Sequence, residues 1–161
     1  MGDGSTRYAS RILLFEPGGR FLLFLEEYDD QPGLGRWITP GGGREPGEGP
    51  EATAIRELHE ETGLRVERLG SVVHEAEFPV RRPTARHSFA HWSFFVHQVD
   101  AAFDPSRVLW TEEEQRTVKD VRWWSLGELV ASHEPYSPRD LPELVTRFAP
   151  PQQPARSRIP R

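Results

Sequence analysis

The stretch from Gly41 to Leu64 leaves the chain little freedom in how it folds. Pro50 stands where a first helical turn begins, and Gly63 stands where a left-handed C-cap ends one. The residues between them therefore read as a single helix bounded at both ends. Ala54, Ile55, Leu58 and Thr62 fall on one arc of that helix, an arc that buries against a sheet. Glu57, Glu60 and Glu61 stand three and four apart and share a different arc, about a quarter of the circumference at ~100° per residue. Like charges at one-turn spacing weaken a helix. A hard divalent cation such as Mg2+ removes that repulsion and prefers oxygen ligands. A glutamate run on a helix is ordinarily a solvated face, but here the flanking residues favour a metal site. Gly41-Gly42-Gly43 lies just upstream, where the backbone can approach phosphate or turn a carbonyl toward a metal. Glu48 precedes the helix and lies eight residues before Arg56, so the two can pair across the loop as a structural brace.

Written out, the pattern is Gly42, five residues, Glu48, seven residues, then Arg56-Glu57-Leu58-His59-Glu60-Glu61-Thr62-Gly63-Leu64. It resembles the Nudix box at every defining position, and the resemblance extends more loosely over residues 8 to 147. Nudix proteins are mostly Mg2+-dependent pyrophosphohydrolases acting on a nucleoside diphosphate linked to another moiety. The resemblance implies an α/β fold, an α/β/α sandwich around a mixed β-sheet, with the box as loop, helix and loop. It implies Glu57, Glu60 and Glu61 as metal ligands, the carbonyl of Gly41 as a further one, and Mg2+ as the ion with Mn2+ as a substitute. Members that keep the fold but lose activity usually break one of these glutamates, and this chain breaks none.

The remaining sequence fits one domain. Residues 11–16 and 21–27 read as strands about a Pro17-Gly18-Gly19-Arg20 turn, and residues 28–36 as a loop leading to Trp37-Ile38-Thr39-Pro40. Residues 67–78, 87–99 and 118–124 read as extended. Ser125 with Glu128 forms a capping box, and Ser137-Pro138 with Asp140 opens a last helix to Phe148. The expected organisation is a flexible N-terminus over residues 1–7, a Nudix domain over 8–148, and a proline-rich, disordered tail over 149–161. The chain has 161 residues and no cysteine, which excludes disulfides, thiolate zinc sites and cysteine nucleophiles. No apolar run reaches the ~20 residues of a membrane span, and residues 1–5 do not form a signal peptide, so a cytoplasmic location is expected. The net charge of −5 argues against long nucleic acids as partners.

Pyrophosphate hydrolysis needs neutralised phosphate oxygens and a group that takes a proton from the attacking water. Glu57 and Glu60 are candidates for the catalytic set. A further base is sought in the loop Thr111-Glu112-Glu113-Glu114-Gln115, with Glu114 chosen and Glu113 close behind. Arg81 and Arg82, with Arg86, suit distal phosphates. Trp37 leads the aromatic residues that could stack on a base, ahead of Phe78, Trp92 and Trp110. His59 takes a variable position in the box and points away from the glutamate arc. His87, His91 and His97 lie too far apart along one strand for a three-ligand zinc site. In the family, a proline fifteen positions past the box is associated with ADP-ribose hydrolysis, and Pro79 lies fifteen past Leu64. The substrate stays open among nucleoside diphosphate sugars and nucleoside triphosphates. A nucleotide-sensing domain without turnover and an RNA-processing member are the alternatives, and a homodimer is among the arrangements the resemblance allows.

Overall fold

The computed structural model describes residues 5–80 and 87–152. Arg81, Arg82, Arg86 and most of the expected tail lie outside the described residues. The elements run β1 (Thr6–Phe15), β2 (Phe21–Glu26), β3 (Arg36–Ile38), β4 (Gly41–Gly43), α1 (Pro50–Thr62), β5 (His74–Pro79) and β6 (Phe89–Gln98). They continue through α2 (Glu112–Thr117), β7 (Val118–Trp124), α3 (Leu126–Ser132), β8 (Tyr136–Ser137) and α4 (Leu141–Phe148). The result is an α/β fold in which helices pack on a mixed, branched sheet.

The sheet path is β5-β6-β1-β2-β3-β8, with β4 attached to β1 and β7 attached to β2. The β1–β6 and β3–β8 pairs are parallel and the others antiparallel. β1 and β2 meet only at their shared hairpin, where Phe15 faces Phe21. Beyond it the two strands diverge into two wings. One holds β5, β6, β1 and β4, and the other holds β7, β2, β3 and β8. The chain crosses between the wings at Thr39-Pro40, and the Ile12 amide fixes the crossing by donating to the Pro40 carbonyl at 2.9 Å.

Apolar runs explain where the core sits. Ile12, Leu13, Leu14 and Phe15 of β1 are all buried, as are Phe21 to Phe24 of β2, because a central strand covered on both faces buries consecutive residues. α1 lies across β1 and β4 and buries Ala54, Leu58 and Thr62 against them, while Ile55 is only half-buried. α3 begins with the expected capping box between Ser125 and Glu128.

Four elements differ from expectation. β1 begins at Thr6, because Thr6 and the residues after it pair with β6 from Phe89 onward. Gly41-Gly42-Gly43 is a strand rather than a loop, held by antiparallel pairing with Ala9, Ser10 and Arg11. Of residues 67–78, only His74 onward pairs as a strand. Thr111-Gln115 is not a loop, since residues 112–117 form α2 behind a capping box of Thr111 and Glu114. No helix among the described residues is long and apolar enough to cross a membrane.

Candidate active site

The site is built where β4 passes under α1. Gly41 takes a positive φ of 143°, and a Cβ there would lie 2.0 Å from the Ser10 carbonyl oxygen, so only glycine fits this crossing. Its N–H donates to the Glu61 carboxylate at 2.8 Å. Gly42 faces α1, and a Cβ on it would stand 2.5 Å from the Glu57 carboxyl carbon. The missing side chain is thus the space that Glu57 occupies. α1 ends in a left-handed Gly63 whose N–H closes on the His59 carbonyl at 2.8 Å, and this fixes the pitch at which the glutamates are presented.

Arg56 organises the near side. Its Nε and Nη2 donate to the Glu48 carboxylate at 2.6 and 3.0 Å, and Nη2 also reaches the Gly43 carbonyl at 2.9 Å. Glu48 further accepts from Thr53 Oγ1 at 2.9 Å and from the Glu45 amide at 3.1 Å. The Arg56 guanidinium, by its hydrogen bonds, holds the Glu48 carboxyl at about 2, well below its ordinary value. Glu48 and Arg56 are therefore a paired strut between the loop and the helix. Arg56 Nη1 donates to Glu57 at 2.9 Å and to Glu60 at 3.1 Å.

Three carboxylates converge beyond that strut. Glu57, Glu61 and Glu114 each offer an oxygen, and these oxygens lie within 4.8 Å of one another. Glu114 comes from α2, where its side chain also accepts from the Thr111 amide at 2.8 Å. The Trp110 indole N–H donates to the Glu61 carbonyl at 2.9 Å and ties the start of α2 to the end of α1. Burial raises the Glu57 carboxyl above its ordinary value, although Arg56 pulls it back. Glu61 is raised well above the ordinary range, first by burial and then by the charge of Glu57. Three carboxylates this close, with Arg56 reaching only Glu57 among them, fit a hard cation, which lowers their mutual repulsion.

Glu60 is not in this cluster. The sequence places it on the same arc as Glu57 and Glu61, but the arc does not say which glutamate Arg56 takes, and Arg56 holds Glu60 at the more exposed edge. The Gly41 carbonyl faces Arg11, whose Nη1 lies 3.3 Å away, with a second contact to the Thr39 carbonyl at 3.1 Å. Sequence reasoning missed Arg11. The available signal was a lone cation heading the apolar run Ile12-Leu13-Leu14-Phe15.

A cleft of about 700 Å³ opens beside the carboxylates and shares Glu26 and Ile38 with their surroundings. Arg7, Arg11, Phe78, Trp92 and Tyr136 are among its walls. Trp37 is a correction. It is only 3% exposed, its ring packs edge-on against Trp124 at 5.0 Å, and its indole N–H donates to Glu134. A ring enclosed on this scale is core rather than a platform for a base. Phe78 and Trp92, also named from the sequence, do line the cleft. His91 lies between Glu75 and Glu77 at 3.3 Å from each, on the opposite face of its strand from Trp92 and Ala90.

A family model described as NUDIX domain matches residues 5–147. The chain belongs to the Nudix family. The stretch from Gly42 to Leu64 is its Nudix box, and the box supplies two of the three converging carboxylates. An RNA pyrophosphohydrolase of Erythrobacter litoralis (strain HTCC2594) is 42% identical over 79 residues, which are 49% of this chain and 46% of that protein. A mouse diphosphoinositol polyphosphate phosphohydrolase 3-alpha is 57% identical over 58 residues, 32% of this chain and 35% of the relative. The matches thus span less than half the length of either relative. Among solved structures, the MutT protein from Methanosarcina mazei Go1 superposes with a TM-score of 0.67 at 20% identity, covering 92% of this chain and 96% of that one. At that identity the likeness speaks for the Nudix fold alone.

Proposed function

We propose that this protein is a divalent-metal-dependent pyrophosphohydrolase that converts a nucleoside diphosphate derivative and water into a nucleoside monophosphate and a phosphorylated remainder. The observation that carries this reading is the convergence of Glu57, Glu61 and Glu114 within 4.8 Å beside an arginine-lined cleft. Glu57 and Glu61 would hold Mg2+, or Mn2+ in its place, with Glu60 joining once released by Arg56 and the Gly41 carbonyl as a further oxygen. The ion, when bound, supplies neutralisation of phosphate oxygens and a water of lowered pKa.

The chain's own groups do the rest. Arg11 faces the phosphates from the Gly41 side, and the Gly41 N–H keeps one Glu61 oxygen aligned. Arg56 and Glu48 hold the loop against α1, so the ligand oxygens keep their separation as the site fills. Glu114 is the proposed base. Its backbone is set by α2 and one oxygen is anchored by the Thr111 amide, which leaves the other free to accept a proton from water. The names of the two relatives support a diphosphate-bearing substrate without choosing between an RNA end and an inositol.

The test is product analysis after incubation with ADP-ribose, ADP-sugars, nucleoside triphosphates, dinucleoside polyphosphates, an RNA with a 5′ triphosphate and an inositol pyrophosphate. Each is run with Mg2+, with EDTA, and with Glu57→Gln and Glu60→Gln. Metal-dependent products that vanish in the variants are expected. No turnover anywhere, with nucleotide still bound, would replace the hydrolase with a sensing domain.

A further inference from the structure

We infer that a second, smaller recess beside the converging carboxylates seats the attacking water, and that Thr39 and Glu26 position that water for Glu114. This rests on the hydrolase reading above and adds to it two residues that lie outside the Nudix box.

Two independent observations define the recess. The first is an unsatisfied hydroxyl. Thr39 is 2% exposed, and among the described residues its Oγ1 has no hydrogen-bond partner. The Thr39 carbonyl is already committed, since Arg11 Nη1 donates to it at 3.1 Å. A buried hydroxyl without a partner costs stability, so it marks a place where a water or a ligand supplies the bond. Thr39 is a wall of a recess of about 10 Å³, the room of a single water. The second observation is a β-bulge. Between β2 and β7, Phe24 pairs with Val121 and Leu25 with Asp120, and the register then jumps to Glu26 with Val118. Lys119 is the extra residue. A bulge bends its strand and re-aims the side chains beside it. Glu26 and Val118 form the pair just past the jump, and both line the recess with Glu61 and Glu114. Glu26 and Ile38 also line the large cleft. The recess therefore borders both Glu114 and the cleft that a substrate would occupy.

Chemistry selects water over a cation. Phe24, Ile38, Trp110 and Val118 make the apolar part of the wall, and the Phe24 and Trp110 rings meet edge-on at 6.0 Å. Mg2+ demands about six oxygens and keeps several of its own waters, more than so small and half-apolar a recess holds. A water needs only about two to four polar partners. Here the Thr39 hydroxyl can donate to its oxygen, while the Glu26 and Glu114 carboxylates accept its two hydrogens. That arrangement leaves one lone pair for phosphorus. Glu61 is otherwise engaged, since it accepts from the Gly41 N–H and belongs to the metal set. Glu114 has one oxygen anchored by the Thr111 amide and the other free. In the step itself the water oxygen bonds to phosphorus, and the bridging P–O bond breaks with its electron pair on the departing phosphate. One water proton passes to Glu114. The second stays on the new phosphate oxygen, hydrogen-bonded to Glu26.

The test joins a high-resolution crystal structure of the full chain with kinetics. One water is expected within hydrogen-bond distance of Thr39 Oγ1 and of Glu26 or Glu114. A recess without that water, or Mn2+ found there by anomalous scattering, would overturn the seat. Thr39→Val keeps the shape of the side chain and removes the hydroxyl. On the panel compound that the wild type turns over fastest, it should lose about tenfold in kcat, the scale of one hydrogen bond, with KM and calorimetric Mn2+ affinity unchanged. Thr39→Ser should restore the rate. Glu26→Ala should lose kcat in the same way, and Glu26→Gln, which keeps an acceptor, should lose less. The Glu26 pair carries the test should Thr39→Val fail to fold. Weakened Mn2+ binding in Glu26→Ala would make Glu26 a metal ligand and overturn its role here. A raised Tm with normal kcat in Thr39→Val would mean a hydroxyl that no water completes, which removes the seat and leaves the hydrolase. A wild type that turns over nothing would remove the hydrolase and the attacking role together, whatever the recess holds.

Discussion

Gly42→Ala isolates the geometry of the carboxylate cluster from the stability of the fold. Gly42 is not among the glycines with positive φ, so alanine meets no backbone penalty there. The added Cβ would stand 2.5 Å from the Glu57 carboxyl carbon and Oε1, and 2.7 Å from Oε2. Ordinary contact begins near 3.4 Å, so the carboxylate must retreat by 3.4 − 2.5, or 0.9 Å. The group that moves is the far end of a flexible side chain, and glycine removal stiffens the unfolded chain by roughly 0.4–1 kcal/mol, so global stability should change by no more than about 1 kcal/mol. Metal–ligand distances tolerate only about 0.2 Å, and a misplacement of about 1 Å at a reacting centre can cost on the order of 10²-fold in rate. The expected result is a normal urea midpoint, weakened Mn2+ binding by calorimetry, and turnover reduced by one to two orders of magnitude. Gly41→Ala is the contrasting control. Its Cβ would strike the main-chain Ser10 oxygen at 2.0 Å under a φ of 143°, so it should fail in folding rather than in chemistry. A Gly42→Ala protein that folds, binds Mn2+ and turns over like the wild type would refute the assignment of Glu57 to the site.

The other expectations separate strut, cap and core from chemistry. Glu48 has a folded-state value near 2 against an ordinary 4.5, so its pairing with Arg56 stabilises the fold fully above pH 4.5 and is lost as pH falls toward 2. The loss should be about 1–2 kcal/mol for a partly solvated pair, and urea midpoints across that window should flatten in Glu48→Gln. Glu114→Gln keeps an acceptor for the Thr111 amide and so retains the capping box. Its melting temperature should hold while turnover drops on the order of 10²-fold or more, whereas Thr111→Ala should cost about 1 kcal/mol of stability. Trp37→Phe removes the indole bond to Glu134 and should lower stability by about 1–3 kcal/mol with nucleotide affinity unchanged. A large affinity loss in that variant would return Trp37 to the binding site.

Local signals made α1 legible. Pro50, Gly63 and the apolar arc of Ala54 and Leu58 act within a few residues of one another, and the structure places the helix at Pro50–Thr62. The Ser125–Glu128 capping box was readable for the same reason. What escaped was tertiary. Three glycines carry no strand preference, and β4 exists because β1 offers its edge. Helical spacing put Glu57, Glu60 and Glu61 on one arc, but only the position of Arg56 draws Glu60 aside. Glu114 is chosen from the sequence, yet as part of a loop, whereas it stands on α2, which Trp110 ties to α1. Trp37 and Trp92 look alike in sequence. One is enclosed by Trp124 and the other reaches the cleft wall, a difference set by which wing of the sheet each strand joins.

The short strand β4 joins these observations. Its three glycines face different parts of the molecule, and each lacks a side chain for a different reason. At Gly41 the backbone turns between wings under a carbonyl that leaves no room for a Cβ, and the same turn aims an N–H at Glu61. At Gly42 the empty volume faces α1 and admits the Glu57 carboxylate. At Gly43 it faces the cleft and gives the Arg7 guanidinium a bed, while the carbonyl on the same residue accepts from Arg56. Side chains at Gly42 and Gly43 alone would meet no β1 backbone, yet they would fill the space facing α1 and the space facing the cleft. The glycine run therefore sets the distance between the carboxylates and the arginine-lined cleft, the spacing that the proposed diphosphate would have to span.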